Sequence, residues 1–225
     1  EICEKHGVLF ESIDFMGYSA TKNFGNSLAN EDYILSVDAD EFLSDELKAS
    51  ILEIKKDPKA DGYTMNRRSN YLGRWINYSG WYPDRKLRIW KKGTGEWKGK
   101  IHEKLELKTE NVKHLKGDLL HYTYKTTTEH LDQINHFTDL MAKDMLARGK
   151  RASVFKIVFS PPFKFIQKYF FKLGFMDGFE GFILCIFSGY YTFAKYAKLR
   201  ELQQNDTSQQ MPPSTNQITP SKNQD

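Results

Sequence analysis

The stretch Tyr33-Ile34-Leu35-Ser36-Val37-Asp38-Ala39-Asp40-Glu41 decides how this chain is read. Four of its first five residues (Tyr33, Ile34, Leu35, Val37) are apolar and predict a strand buried on both faces. Three acids then follow within four positions, at the C-terminal end of that strand. Open α/β sheets place their ligands there. If the backbone stays extended, Asp38 and Asp40 point to the same side. Two carboxylates so held repel unless a cation lies between them. Hard oxygen ligands suit Mg²⁺ or Mn²⁺, and either ion would take a phosphate as a further ligand. The competing reading makes the acids part of a helix start, with Ser44 as N-cap and Asp45 and Glu46 in the first turn. Capping accounts for Asp45 and Glu46. It does not account for acids that begin directly at the end of a hydrophobic strand.

Upstream, Glu1 to Gly7 reads as the end of a helix capped by glycine, followed by a strand at Val8-Leu9-Phe10. A domain that opens on a helix end is expected to lack its first strand and helix. Ser12 to Tyr18 is a loop, and Ala20 to Ala29 a helix. Downstream, Leu47, Ile51 and Ile54 make the apolar stripe of a helix from Glu46 to Lys56. Gly62 to Arg67 alternates like a strand. The succession strand–helix–strand–helix–strand predicts an α/β fold with a parallel sheet.

From Tyr71 to Tyr124 short aromatic and β-branched segments are separated by glycines, predicting antiparallel strands and a loop from Asn77 to Asp84. The sheet is therefore expected to be mixed. All four tryptophans (Trp75, Trp81, Trp90, Trp97) lie in this region. Rings with a polar handle suit a sugar surface, and Trp81 in the loop is the candidate for acceptor binding. For the other three, a Trp-rich core is the competing reading. Thr126 to Glu129 reads as a cap for a helix from His130 to Arg148.

Val154 to Phe171 mixes Phe, Ile and Tyr with Lys156, Lys164 and Lys168, and Pro161-Pro162 is expected to break it. Gly181 to Ala194 is apolar but short of the ~20 residues a spanning helix needs. These segments predict amphipathic helices in a membrane interface; the competing reading is a helical subdomain with solvated lysines. From Gln203 to Asp225 the polar composition cannot build a core and predicts disorder. The expected organisation is a catalytic domain over 1–125, a membrane-associated helical region over 126–202 and a tail over 203–225.

Composition sets bounds. The chain has 225 residues, 40% hydrophobic and 14% aromatic, enough for a real core. Its net charge is only +4, but Lys143 to Lys172 carries eight basic residues against one acid, Asp144. The basic residues accompany Phe and Pro without an RNA or DNA motif, so no nucleic-acid partner is expected. Cys3 and Cys185 form neither a metal spacing nor a disulfide framework, which fits a reducing cytoplasm.

Three stretches together resemble family 2 glycosyltransferases of GT-A fold, in particular the bacterial branch of lipopolysaccharide-core β-1,4-glucosyltransferases. The first is Gly17-Tyr18-Ser19-Ala20-Thr21-Lys22-Asn23 leading to Val37-Asp38-Ala39-Asp40-Glu41. The second runs from Trp81-Tyr82-Pro83-Asp84 through Arg88-Ile89-Trp90 to Ile101-His102-Glu103. The third is Tyr169 to Gly181. The resemblance implies that Asp38 and Asp40 bind a divalent cation, Mg²⁺ or Mn²⁺, and the donor diphosphate. It places Ala39, Lys22 and Asn23 by the nucleotide. The resemblance implies that the family's opening strand and its nucleotide-binding segment, about 30 residues of a βαβ unit, are expected to be missing from this sequence.

The implied reaction is displacement at an anomeric carbon by an acceptor hydroxyl, with inversion. A general base must take the hydroxyl proton, and positive charge must meet the leaving diphosphate. The resemblance points to Glu103 as base, with Asp84 second. A cross-strand ion pair is the competing role for Glu103. His102 or His121 is a candidate third metal ligand, with a structural role as the competing reading, and Arg85 and Arg88 either meet the diphosphate or flank a strand. The expected partners are a nucleotide-sugar donor, a glycan or glycolipid acceptor and the inner face of the cytoplasmic membrane. The alternatives are a metal-dependent phosphoryl-transfer or hydrolase enzyme, and a membrane-peripheral binding module with a degenerate site.

Overall fold

The computed structural model describes residues 2–99 and 103–209. The chain divides into two compact units: Glu1–Asn70 with Trp81–Thr123, and Tyr71–Gly80 with Tyr124–Asp225. In chain order the elements up to residue 124 are α1 (Ile2–Lys5), α2 (Tyr18–Leu28), β1 (Tyr33–Leu35), β2 (Glu41–Leu43), α3 (Asp45–Lys56), β3 (Gly62–Tyr71), β4 (Arg74–Trp75), β5 (Asp84–Lys91), β6 (Gly95–Lys98), β7 (Lys104–Leu107) and β8 (Val112–Tyr124).

In the first unit the sheet order is β1-β5-β3-β8-β2, with β6-β7 as a separate hairpin. β1 pairs with β5, β5 with β3, and β2 with β8, all antiparallel: Ile34 lies opposite Trp90, Arg85 opposite Asn66 and Phe42 opposite Leu120. Two expectations are corrected here. Val8-Leu9-Phe10 forms no strand, and its side chains are exposed. β1 is an edge strand with one neighbour, so Leu35 and Val37 remain more than a third exposed. Its hydrophobic run is that of a central strand, but β5 covers one edge only.

α3 starts where the caps predict. Ser44 Oγ accepts from Leu47 N–H, Asp45 and Glu46 occupy the first turn, and Lys55 and Lys56 occupy the last. Its inward Leu47 joins Tyr63, Met65, Ile89, Leu115 and Leu119 in the core. Complete burial of such a side chain stabilises by about 1.5–3 kcal/mol. β8 passes directly against the start of α3. Gly117 there has φ +87°, and a Cβ at that position would run into the backbone nitrogen of Leu47. Trp90 and Trp97 meet edge to face in the interior, so the core reading holds for both.

The second unit contains α4 (Thr127–Ala147), α5 (Val154–Ile166), a π-turn (Gln167–Phe171), a 3-10 turn (Gly174–Asp177) and α6 (Gly178–Gln209). Thr126 and Glu129 cap α4 reciprocally. Ala142 of α4, Ala152 and Leu199 of α6 form a small core with Met145, Leu146, Tyr196 and Leu202 around it. Pro161-Pro162 does not break α5, which runs through both. The close packing of Gly189 of α6 on the Pro161 carbonyl, 3.1 Å from where a Cβ would stand, accompanies this continuity. α6 also continues through residues 203–209 of the tail expected to be disordered; 210–225 lie outside the described residues. Asp177 is buried and ties down the loop after β4, accepting from the backbone N–H of Asn77 and of Tyr78, each at 2.9 Å.

His130 is the buried titratable group of this unit with the clearest consequence. Its Nδ1 lies 2.9 Å from the Tyr71 hydroxyl, and its ring stacks on Tyr124 at 4.3 Å. Burial pulls the imidazole down to about 4. Between the ordinary histidine value and 4 the unfolded chain binds a proton that the folded protein refuses. Stability is therefore expected to fall as pH drops from about 6.5 to about 4, by about 3 kcal/mol from this group. Urea midpoints of wild type and His130→Phe across that range check it: the variant should lose this part of the slope.

Candidate active site

The site grows from the chain reversal after β1. At Ala39-Asp40 the backbone turns, and Glu41 N–H donates to the Asp38 carbonyl at 3.0 Å. The expected extended backbone is therefore absent at Ala39-Asp40. Each has its own partners.

Asp38 stands between two cations. Arg88 Nη2 lies 2.8 Å from its Oδ2, and Lys22 Nζ 3.2 Å from its Oδ1. Burial alone would raise the Asp38 carboxyl, but Arg88 and then Lys22 outweigh it and hold the group below the usual carboxylate range. Arg88 is itself buried on β5 and donates through the same Nη2 to Glu41 Oε1 at 2.6 Å. Glu41, with a side chain fully removed from solvent, accepts the Asp38 backbone N–H on its other oxygen at 3.0 Å.

The row of charges extends both ways. Arg67 Nη1 lies 3.6 Å from Glu41, and Arg67 binds Asp84 Oδ2 through Nε at 3.1 Å and Nη2 at 2.9 Å. Lys86 takes Asp84 Oδ1 at 3.1 Å. At the other end Lys22 Nζ reaches Glu103 Oε1 at 3.2 Å while resting over the Trp97 ring at 4.5 Å. Glu103 is thus ion-paired, but to a lysine on α2 rather than across a strand.

Asp40 is apart from this row. Its side chain is 55% exposed, and His121 Nε2 lies 3.1 Å from its Oδ2. His121 Nδ1 lies 3.2 Å from Thr123 Oγ1 and 3.4 Å from Ser69 Oγ, which orients the ring. Among the described residues, no group of three or more His, Cys, Asp or Glu side chains could hold a metal ion. His102 lies outside them. The donor set still fits a hard cation that takes few protein ligands. Mg²⁺-type sites use one or two carboxylates plus substrate phosphates, and Asp40 beside His121 offers that. Both Asp38 oxygens are engaged by cationic side chains.

The other sequence candidates are placed as follows. Asn23 binds the main chain of Trp97 twice, its Nδ2 donating to the carbonyl and its Oδ1 accepting the N–H, both at 2.9 Å. It fastens α2 to β6 and so aims Lys22. Ala39 is exposed in the turn, Trp81 is partly buried in the loop before β5, and Arg85 is exposed. Glu41, which is buried, and Arg67, which is partly exposed, emerge as further members of the network. The one sequence signal for them is position: Glu41 closes the acidic run, and Arg67 sits on an alternating strand.

The match to known proteins follows the same residues. The model of glycosyl transferase family 2 matches residues 2–113, which include the whole charge row. An uncharacterized glycosyltransferase of Rickettsia typhi is 26% identical over 204 residues, covering 84% of this chain and 68% of that protein. One from Rickettsia prowazekii is 27% identical over 208 residues, with the same coverage of each. The lipopolysaccharide core biosynthesis glycosyltransferase LpsC of Rhizobium meliloti is 27% identical over 187 residues, covering 81% of this chain and 69% of that protein. The phosphoryl-transfer alternative is thereby set aside: with its α/β GT-A fold, the chain belongs to glycosyltransferase family 2 and is a glycosyltransferase.

Proposed function

We propose that this enzyme transfers a hexose from a UDP-hexose to a cell-envelope glycan or lipid-linked acceptor of the lipopolysaccharide-core class, with inversion, at the inner face of the cytoplasmic membrane. The acceptor class rests on the likeness to LpsC, named for lipopolysaccharide core biosynthesis. The observation that carries the chemistry is Lys22, held at 3.2 Å from both Asp38 and Glu103. A cation so placed can move onto an incoming diphosphate and release Glu103.

In this reading the acceptor hydroxyl oxygen attacks the anomeric carbon while the bond from that carbon to the diphosphate oxygen breaks. The nucleoside diphosphate leaves with the electron pair, and Glu103 takes the hydroxyl proton. Asp84 is the weaker candidate for base, because Arg67 and Lys86 engage both its oxygens. Asp40 and His121 would hold Mg²⁺ or Mn²⁺, which when bound neutralises charge on the leaving diphosphate. Arg88 orients Asp38 from below, and Trp81 offers a ring to the acceptor sugar. The test is UDP release from UDP-hexoses in the presence of lipopolysaccharide-core oligosaccharide. Acceptor-dependent release supports the reading; release equal with and without acceptor points to hydrolysis and contradicts it.

A further inference from the structure

The second unit carries an apolar surface that its own fold leaves uncovered. On α5, Val154, Phe155, Val158, Phe159, Phe163 and Ile166 are all exposed, and their spacing places them on one face of the helix. The π-turn adds Phe170 and Phe171, the latter 76% exposed. On α6, Phe179, Phe182, Ile186, Tyr190 and Phe193 recur every three or four residues and form a second exposed stripe. Phe182 of this stripe packs edge-on against Phe165 of α5 at 6.0 Å and against Tyr169 of the π-turn at 5.8 Å. Apolar patches this extensive mark a docking surface, because a free soluble domain rarely leaves them in water.

The charges beside this surface are of one sign. No Asp or Glu occurs between residues 145 and 176, whereas Lys156, Lys164, Lys168 and Lys172 do. Lys164 donates to the neutral Gln167. Lys168 is held below the usual lysine range by burial first, then by repulsion from Lys164 and Lys172. Lys195 is lowered by burial and by Lys164. Lys156 and Lys172 are exposed beside these rings and open to an anion. Rings and aliphatics on one face with lysines alongside are what a helix lying in a headgroup layer presents, with the ammonium groups reaching phosphate.

Among the described residues, no helix is long and apolar enough to cross a membrane. We infer that α5, the π-turn and the first half of α6 form a lipid-docking face that seats this protein in the interface of a bilayer rich in anionic phospholipid. The inference deepens the membrane placement proposed above by naming the surface and the lipid. It needs neither donor nor metal, so its failure leaves the transferase chemistry standing.

The test is co-sedimentation of the full chain with vesicles, without donor. Wild type should bind phosphatidylcholine vesicles containing phosphatidylglycerol at least about tenfold more tightly than phosphatidylcholine alone, and lose that excess at high salt. Phe155→Ser/Phe163→Ser/Phe171→Ser should weaken binding by about tenfold or more, since all three rings are exposed. Lys156→Gln/Lys172→Gln, both exposed, should remove most of the preference for phosphatidylglycerol while keeping the rings. The lysine pair keeps the test decisive if the triple variant fails to fold, as judged by circular dichroism. Wild type remaining in the supernatant with both vesicle types overturns the proposal. So does equal sedimentation of wild type and the folded variants. A wild-type dimer that ignores vesicles and becomes monomeric in the triple variant also overturns it, because a second copy would then be the occupant.

Discussion

Arg88→Ala is expected to destabilise the first unit by about 3–5 kcal/mol, the usual cost of removing one member of a buried ion pair. The size follows from what Arg88 serves. Its Nη2 is within 2.8 Å of both Asp38 and Glu41, and the Glu41 side chain has no exposure to water. Without the guanidinium, Glu41 keeps only the Arg67 contact at 3.6 Å and the Asp38 backbone N–H. A buried carboxylate so left must take up a proton or draw in water, and either costs stability. Urea denaturation of wild type and variant measures the difference. Arg88→Met with Glu41→Leu should recover much of the loss, because the unpaired charge is then gone. A loss below about 1 kcal/mol in the single variant would place Arg88 in an ordinary surface pair instead.

Glu103→Gln is expected to lower kcat by about a hundredfold to ten-thousandfold, the usual span for general-base removal, with donor binding kept. Glutamine preserves the shape but takes no proton. It also frees Lys22 from half of its shared position, so UDP binding should hold or improve slightly. Asp84→Asn is the control. Asp84 is locked between Arg67 and Lys86, so its loss should show in stability more than in kcat. Initial rates with saturating donor, alongside UDP affinities, separate the two effects. If Asp84→Asn lost the rate and Glu103→Gln kept it, the base would be Asp84.

Much of this was readable in the residues because short-range physics dominates it. Ser44 caps α3, Thr126 and Glu129 cap α4, and each signal lies within four positions of what it controls. The acidic run after Val37 was legible for the same reason. What could not be read depends on distant parts of the chain. The composition of Tyr33 to Val37 predicts burial but does not name the neighbour, and β5 covers only one edge of β1 among the described residues. The shared orientation of Asp38 and Asp40 assumed a strand that ends later than it does. The backbone turns at Ala39-Asp40, and Asp38 meets Lys22 and Arg88. Arg88 could equally have flanked a strand on sequence grounds. Its role appears only once β5 brings it beside Glu41. Pro161-Pro162 misled in the other direction, since a local rule for helix breaking gave way to packing of α5 on α6.

The central claim is that the acidic turn after β1 meets a nucleotide diphosphate with help from a divalent ion. Calorimetric titration of UDP with and without Mn²⁺, on wild type and Asp40→Ala, tests it most directly. UDP is expected to bind wild type more tightly with Mn²⁺ and to lose that Mn²⁺ dependence in Asp40→Ala, with the fold intact because Asp40 is half exposed at the surface. UDP binding that is the same with and without Mn²⁺, or unchanged in Asp40→Ala, would contradict it.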